Sequence, residues 1–204
     1  MKWTSAISEN PVLEEAIAEC GFSINNSINN RDIDLAVTFI SPHYEQSYDR
    51  VTDLIASSLG AEHVLGCSGG GVIGNGLEVE QRPGLSITAA VLPEVTVRPF
   101  HLESGQLPDM DAAPEKWEGI MGVGQDKDPH FLVLADPYSF PVNDLLMGLD
   151  YAFPKSTKIG GLASGAGHQG GNALFLDGEV FRTGSIGLAL DGNIAVDTVV
   201  AQGC

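Results

Sequence analysis

The feature that most constrains the fold of this chain is a sequence pattern that occurs twice. Each copy has an apolar run typical of a buried strand, then a helical segment, a second strand and a glycine-rich loop. The loops are LGCSGGGVIGNG (65–76) in the first copy and GLASGAGHQGGN (161–172) in the second. We therefore predict an internal duplication of a β-α-β-loop-β unit, with the two units at about 32–103 and 128–200.

The turns within the two copies also match. The first strand ends at Ser41-Pro42 in one copy and at Asp136-Pro137 in the other, and the loops align on Ser68 and Ser164. The separations are 68 − 41 = 27 and 164 − 136 = 28 residues. The pattern predicts an α/β fold whose mixed sheet contains antiparallel strands. Because ligand crevices form at strand ends in such folds, these turns and loops are candidates for a binding site.

A polar linker at about 104–114 is predicted to separate the two units. Local signals also predict the structure of the segment before the first unit. A first helix follows Asn10, a residue type that caps helices, and Gly21 is expected to end it. The segment INNSINNRD (24–32) then reads as a polar loop.

Two catalytic or nucleotide-binding motifs overlap in the first loop. Residues 66–70 fit the G-x-S-x-G nucleophile elbow, and residues 69–74 fit the G-x-G-x-x-G dinucleotide fingerprint. Both motifs require a helix after the loop, and the glycines that follow Ser68 disfavour one. We interpret the loop instead as glycine backbone that closely approaches a ligand.

The candidate ligand-binding residues lie at the strand ends of both units. Main-chain N–H groups of the loops are expected to bind a carboxylate, and Asp136 an ammonium group. The histidines are scattered without metal-ligand spacing, so we predict no metal site and no cofactor. One pocket between the units and two separate pockets both fit the pattern. The full set is Ser41, His43, Cys67, Ser68, Gly69 and Gly70 in the first unit, and Asp136, Tyr138, Ser139, Ser164 and Gly165 in the second.

Charge and cysteine content exclude several classes of partner. The 204 residues carry a formal net charge of −17, which disfavours binding to nucleic acid or to an anionic membrane surface. The three cysteines form no C-x-x-C pair, and the first residues contain no apolar signal segment. We therefore predict an acidic protein of the cytoplasm.

Several ordered motifs resemble one known family. They are a tryptophan near the start, DLAVTFISPHY (34–44), LGCSGGGVIGNGLEVE (65–80), LSITAAVLPEVTVRPF (85–100) and VDTVVAQGC (196–204). From Trp3 to Cys204 the chain resembles the N-terminal half of the FIST family, the F-box and intracellular signal transduction proteins.

The resemblance implies an intracellular sensory domain that binds a small ligand for signal transduction and catalyses no reaction. Amino acids are among the ligands proposed for the family, and the implied partners are a C-terminal FIST half or a signalling module outside this chain. Two alternatives stay open. One is a hydrolase or transferase that uses Cys67 or Ser68 as a nucleophile. The other is a protein-interaction scaffold whose edge strands dock a partner.

Overall fold

The computed structural model describes residues 1–29 and 31–199, and four α-helices and twelve strands are assigned within them. The helices are α1 (Leu13–Ile28), α2 (Val51–Leu59), α3 (Pro114–Met121) and α4 (Val142–Ala152). The strands are β1 (Lys2–Ser8), β2 (Ile33–Ile40), β3 (Ala61–Ser68), β4 (Gly71–Gly74), β5 (Leu77–Glu80), β6 (Leu85–Val91), β7 (Val95–Leu102), β8 (His130–Ala135), β9 (Lys158–Leu162), β10 (Leu174–Leu176), β11 (Glu179–Phe181) and β12 (Ser185–Gly192). A 3₁₀ segment, Pro42–Arg50, precedes α2.

The two large sheets share one strand order. The first sheet runs β1-β6-β2-β3 and then continues into β10-β11, and the second runs β7-β12-β8-β9. In both, a parallel pair (β2–β3 or β8–β9) is flanked by an antiparallel strand (β6 or β12). This confirms a mixed α/β fold with antiparallel strands. The shared order supports the duplication, which itself stays a prediction.

The repeated topology begins earlier than the sequence pattern suggests. It runs from β1 to β6 and again from β7 to β12. Strand β7, which lies within the predicted first unit at 32–103, pairs with β12 in the second sheet. Conversely, β10 and β11 belong by sequence to the second copy but extend the first sheet. The polar segment at 104–114 connects β7 to α3.

Strand register gives the equivalences between the two copies. Ile40 pairs with Ser68, and Ala135 pairs with Leu162, so Leu162 and not Ser164 is the counterpart of Ser68. The sequence alignment on the two serines is therefore shifted by two residues. In the same register Gly66 corresponds to Gly160. A Cβ at either glycine would lie 2.2 Å or less from a carbonyl oxygen of the neighbouring strand.

Helix α1 is longer than predicted. It continues through Gly21 to Ile28 and ends at Asn29, which has the left-handed φ of 59°. Gly21 is an interior residue whose Cβ would lie 2.7 Å from Ser58 Oγ, so its small size fits the packing of α1 on α2. Ile24 and Ile28 extend the buried stripe of α1, which explains why the predicted polar loop is helical as far as residue 28.

Three apolar clusters hold four layers together. One lies between the first sheet and α1 and α2, and another lies between the second sheet and α3 and α4. The third joins the two sheets face to face, and it includes Leu35, Leu65 and Cys67 from the first sheet and Ile186 and Leu188 from the second. The order of layers is thus helices, sheet, sheet, helices.

We predict that Gly148→Ala destabilises the protein. The Cβ built at Gly148 of α4 lies only 1.9 Å from Trp117 Cη2, and Trp117 is completely buried. Overpacking of this kind costs about 1–3 kcal/mol in free energy of unfolding, which urea denaturation measures. The control is Gly119→Ala in α3, where no atom lies within 4 Å and alanine favours the helix. Equal stability of the two variants would contradict this account.

Candidate functional site

A small cavity lies at the carboxyl ends of β2, β3 and β9, where the two topological units meet. Its volume is about 230 Å³, below the roughly 300–1,000 Å³ of drug-sized pockets. Both glycine-rich loops contribute to its wall. The lining residues are Pro42, Glu45, Tyr48, Ser68, Ser164, Gly165, Ala166, Gly167, His168 and Gly171.

Hydrogen bonds donated by main-chain N–H groups join the first loop to the second loop and to Ala173 directly after it. Ser164 N donates to Ser68 O at 3.0 Å, and Gly70 N donates to Ser164 Oγ at 3.1 Å. Ser68 N donates to Ala173 O at 2.9 Å, and Ala173 N donates to Ser68 Oγ at 3.0 Å. We call these four bonds the serine clasp. Ser68 and Ser164 are therefore in contact with each other.

The serine clasp uses the acceptor capacity of the Ser68 and Ser164 hydroxyls and leaves their donor capacity for a ligand. Each hydroxyl oxygen accepts one main-chain N–H, from Ala173 at Ser68 and from Gly70 at Ser164. A serine hydroxyl also has one proton to donate. Both residues line the cavity, so the site offers two O–H donors that suit an acceptor such as a carboxylate.

Another part of the cavity lining comes from the 3₁₀ segment Pro42–Arg50 that follows β2. The Ser41 hydroxyl accepts from Gly84 N at 2.9 Å, and Ser41 O accepts from Tyr48 Oη at 3.2 Å. Ser41 is buried and fixes the start of this segment, while Pro42 and Tyr48 reach the cavity. His43 is exposed, and its Nδ1 lies 3.3 Å from Ser41 Oγ.

Tyr48 remains a proton donor over a wide pH range. Burial raises the pKa of Tyr48 well above its usual range, and the negative charge of Glu45 raises it further. The guanidinium of Arg182, 5.4 Å from the centre of the Tyr48 ring, opposes this shift.

Asp136 lies beneath the second loop and does not line the cavity. It is fully buried, and its carboxylate accepts from Asn172 Nδ2 at 3.1 Å and from Ser139 Oγ at 2.6 Å. Asn172 Oδ1 in turn accepts from Ala166 N, and Ser139 Oγ accepts from Gly184 N. The structure thus gives Asp136 and Ser139 a bracing role. Glu45, in contrast, is among the residues that line the cavity.

The remaining predicted site residues lie around the cavity or below it. Tyr138 is half exposed, and its hydroxyl donates to Ala166 O at 3.3 Å. Gly69 is buried, and its N–H donates to Ile40 O, while Gly70 contributes to the serine clasp. Cys67 points into the apolar cluster between the sheets.

The nucleophile elbow and the dinucleotide fingerprint both lack their helix. The chain after Ser68 forms the hairpin of β4 and β5. Burial raises the pKa of the Cys67 thiol to about 12, so it is not a thiolate at neutral pH. Among the described residues, the hydrogen-bond partner of Ser68 Oγ is the main-chain N–H of Ala173, which cannot act as a general base. Neither residue has the environment of an activated nucleophile.

Sequence reasoning missed most of the lining, including the polar side chains of Glu45, Tyr48 and His168. Glu45 and Tyr48 follow Ser41-Pro42 within a few residues, so their positions after a strand end were an available signal. His168 lies inside the second glycine loop, and only the fold brings it to the same cavity as the segment after β2. Gly167, also within the loop, is part of the same lining.

Within residues 1–29 and 31–199, no helix is long and apolar enough to cross a membrane. In the same part of the chain, no group of three or more His, Cys, Asp or Glu side chains is arranged to hold a metal ion.

Comparison with known proteins identifies the class of domain. The topology and the loop-built cavity are those of a two-unit α/β domain, and the family model described as "FIST N domain" matches residues 34–204. The chain belongs to the FIST family, whose domain is a sensory domain of signal transduction. The predicted membership is thereby confirmed.

The relatives are longer than this chain. An uncharacterized protein of Mycobacterium tuberculosis strain H37Rv is 31% identical over 206 residues, which cover 97% of this chain and 50% of that protein. An uncharacterized protein of Mycobacterium bovis is 29% identical over 76% of this chain and 39% of its own length. The chain therefore spans about half the length of the curated relatives it matches. A crystal structure of a cyanuric acid hydrolase from A. caulinodans aligns with 94% of this chain and 68% of its own at 9% identity, with a TM-score of 0.36.

We predict that Gly165→Ala distorts the cavity loop. Gly165 has a φ of +99°, and its Cβ would lie 2.6 Å from Pro42 Cγ. We expect the free energy of unfolding to fall by about 1–3 kcal/mol. The control is Gly167→Ala in the same loop, where a Cβ meets no atom within 4 Å and the cost should stay below about 0.5 kcal/mol. Urea denaturation of both variants makes the measurement, and a tolerated Gly165→Ala would refute the prediction.

We also predict that stability falls at alkaline pH. Burial raises the pKa of Cys20 and of Cys67 to about 12, whereas both thiols ionise at about 8.5 in the unfolded chain. The unfolded state therefore loses protons first, and the stabilisation present below about pH 8.5 is lost as pH rises toward 12. Each thiol contributes a slope of up to about 1.4 kcal/mol per pH unit.

Denaturation curves between pH 8 and 11 measure this slope. Cys67→Ala changes the absolute stability but should also make the pH dependence shallower, because one titrating thiol is gone. An unchanged slope in that variant would show that Cys67 ionises alike in both states.

Proposed function

We propose that this chain is an intracellular sensory domain that binds a small zwitterionic ligand, an amino acid, in the cavity between its two copies. The observation that carries the proposal is the pair of serines that line the cavity. Each hydroxyl oxygen accepts a main-chain N–H, and each hydroxyl donates no hydrogen bond to the residues that the structure describes. The FIST family supports the sensory role.

The cavity has complementary groups for both ends of an amino acid. The hydroxyls of Ser68 and Ser164 are suited to donate to a carboxylate, and His168 borders the same space. The carboxylate of Glu45, another lining residue, suits an ammonium group. In this proposal Glu45 takes the role that the sequence suggested for Asp136, because Asp136 is buried and already hydrogen-bonded.

The proposed function is binding without catalysis. Conversion of a ligand by a serine or cysteine would need a nucleophile beside a base, and the raised pKa of Cys67 argues against a thiolate. The free thiols of Cys20 and Cys67 accord with a reducing compartment, which supports the cytoplasm as the site of action.

We predict that an amino acid stabilises the protein against heat. A ligand at 100 times its Kd adds about 2.7 kcal/mol to the free energy of unfolding, which for a domain of this size raises Tm by about 5–10 °C. A thermal-shift screen of the twenty amino acids, followed by titration calorimetry on each hit, makes the measurement. An absence of any shift at millimolar concentrations would contradict the proposal.

Three variants localise the binding. Ser164→Ala removes a donor to the carboxylate and should weaken binding about 10- to 100-fold. Ser57→Ala, at an exposed position on α2, is the matched control and should bind normally. Glu45→Gln should weaken the binding of the amino acid. It should leave the binding of the corresponding 2-hydroxy acid unchanged, because that ligand has a hydroxyl in place of the ammonium group. If Glu45→Gln weakens both ligands equally, the proposed orientation is wrong.

A further inference from the structure

We propose that the open edge of β9 binds an antiparallel β-strand from the half of the longer FIST relatives that has no counterpart in this chain. The proposal concerns a surface separate from the ligand cavity and does not depend on the ligand. It rests on the equivalence of β3 and β9 in the two copies.

Strand β3 shows how such an edge is completed. Its outer side pairs with β10, which comes from the second copy, with Gly66 opposite Phe175. The main-chain bonds at the ends of this pairing run from Ser68 N to Ala173 O and from Asp177 N to Val64 O. The edge of the first unit is therefore closed by the hairpin of the unit that follows it.

Strand β9 is the equivalent strand of the second unit, and no strand within residues 1–29 and 31–199 pairs with its outer edge. It is the last strand of the second sheet among the described residues. Phe131 N donates to Thr157 O, and Ala163 N donates to Ala135 O, so alternate residues of β9 face β8. The main-chain groups of the residues between them, Lys158, Gly160 and Leu162, consequently face away from β8. In strand register they correspond to Val64, Gly66 and Ser68.

The surface beside this edge is apolar. A groove of about 510 Å³ runs along β9, and Val133, Val142 and Leu146 form part of its lining. Ile159 and Leu162 are 42% and 50% exposed, although they are large apolar residues within a strand. An exposed apolar edge strand is a template for pairing with another strand. Strand addition combines main-chain hydrogen bonds with pockets for alternate side chains.

The occupant is argued from the precedent at β3 and from the length of the relatives. At β3 the pairing strand is Leu174–Leu176, three buried residues of a short hairpin. The M. tuberculosis relative matches this chain over 50% of its length, so its remaining half is large enough to contain a further hairpin. Thr198 and Val199 also line the groove, and Thr157 Oγ1 donates to Val196 O. This segment forms no strand, so it lies beside β9 without extending the sheet.

The test is amide hydrogen exchange measured by NMR on two samples. One is this chain alone, and the other is a single polypeptide in which this chain is joined to the unmatched half of the M. tuberculosis relative, with the two halves in the order that the relative has. We expect the amides of Lys158, Gly160 and Leu162 to exchange about 100-fold or more slowly in the joined polypeptide. The amides of Ile159 and Gly161 face β8 and should be protected in both.

Two variants at one position separate main-chain pairing from side-chain contact. Leu162→Pro removes an outward N–H without removing a bond to β8, and it should abolish the added protection. Leu162→Ala keeps that N–H and should retain most of the protection.

The outcomes decide the proposal in each case. Unchanged exchange at the three outward amides, with the added half folded, overturns it. If the added half does not fold in the joined polypeptide, the intact M. tuberculosis relative is compared with its matched half alone. Exchange is then measured at the outward amides of the strand that aligns with β9, and unchanged exchange overturns the proposal. Protection that rises with the concentration of this chain alone would make a second copy the occupant and would also overturn the proposal.

Discussion

The pairing of β3 with β10 is the interaction on which the rest of the structure depends. It joins residues about 110 positions apart and extends the first sheet with a hairpin from the second copy. The apolar cluster between the two sheets, which includes Cys67 and Leu174, lies directly on this pairing. Because each copy thereby completes the other, residues 2–91 and 95–192 form two topological units but one packed body.

The location of the cavity is a consequence of the same pairing. Once β10 lies against β3, Ala173 reaches Ser68, and the loop before β10 crosses the ends of β2 and β3. Gly165 then packs on Pro42, and Ser164 meets Gly70. The hydroxyls of Ser68 and Ser164 are thus positioned by main-chain N–H groups. Ordering these two side chains before a ligand arrives lowers the entropy cost of binding.

Much of the fold and part of the site followed from local sequence signals. The buried strands, α2 and α4 and the glycine loops could be predicted because apolar runs and glycines report on local structure. Ser68, Ser164 and Gly165 were predicted as ligand-binding residues. All three line the cavity, and their role in binding stays a prediction. The predicted end of α1 at Gly21 was wrong. The burial of Ile24 and Ile28 in the core outweighed the low helix propensity of glycine.

What the sequence could not provide was the exchange of strands between copies. A residue pattern does not specify which sheet a hairpin joins, so the sequence did not indicate that β7 pairs in the second sheet and β10 in the first. For the same reason Ser68 and Ser164 looked like equivalent positions, whereas they are contacting partners. Asp136 and Glu45 are a second case, since only burial distinguishes a bracing carboxylate from one that borders a cavity.

The long separation between β3 and β10 also has a consequence for biosynthesis. Ribosomes add about 5–20 residues per second, so roughly 5–20 seconds pass between the emergence of β3 and that of β10. During this interval the nascent first unit exposes the edge of β3. A non-local pairing of this kind also slows folding. Chaperone dependence of this domain should therefore be greatest while the second copy is still being translated.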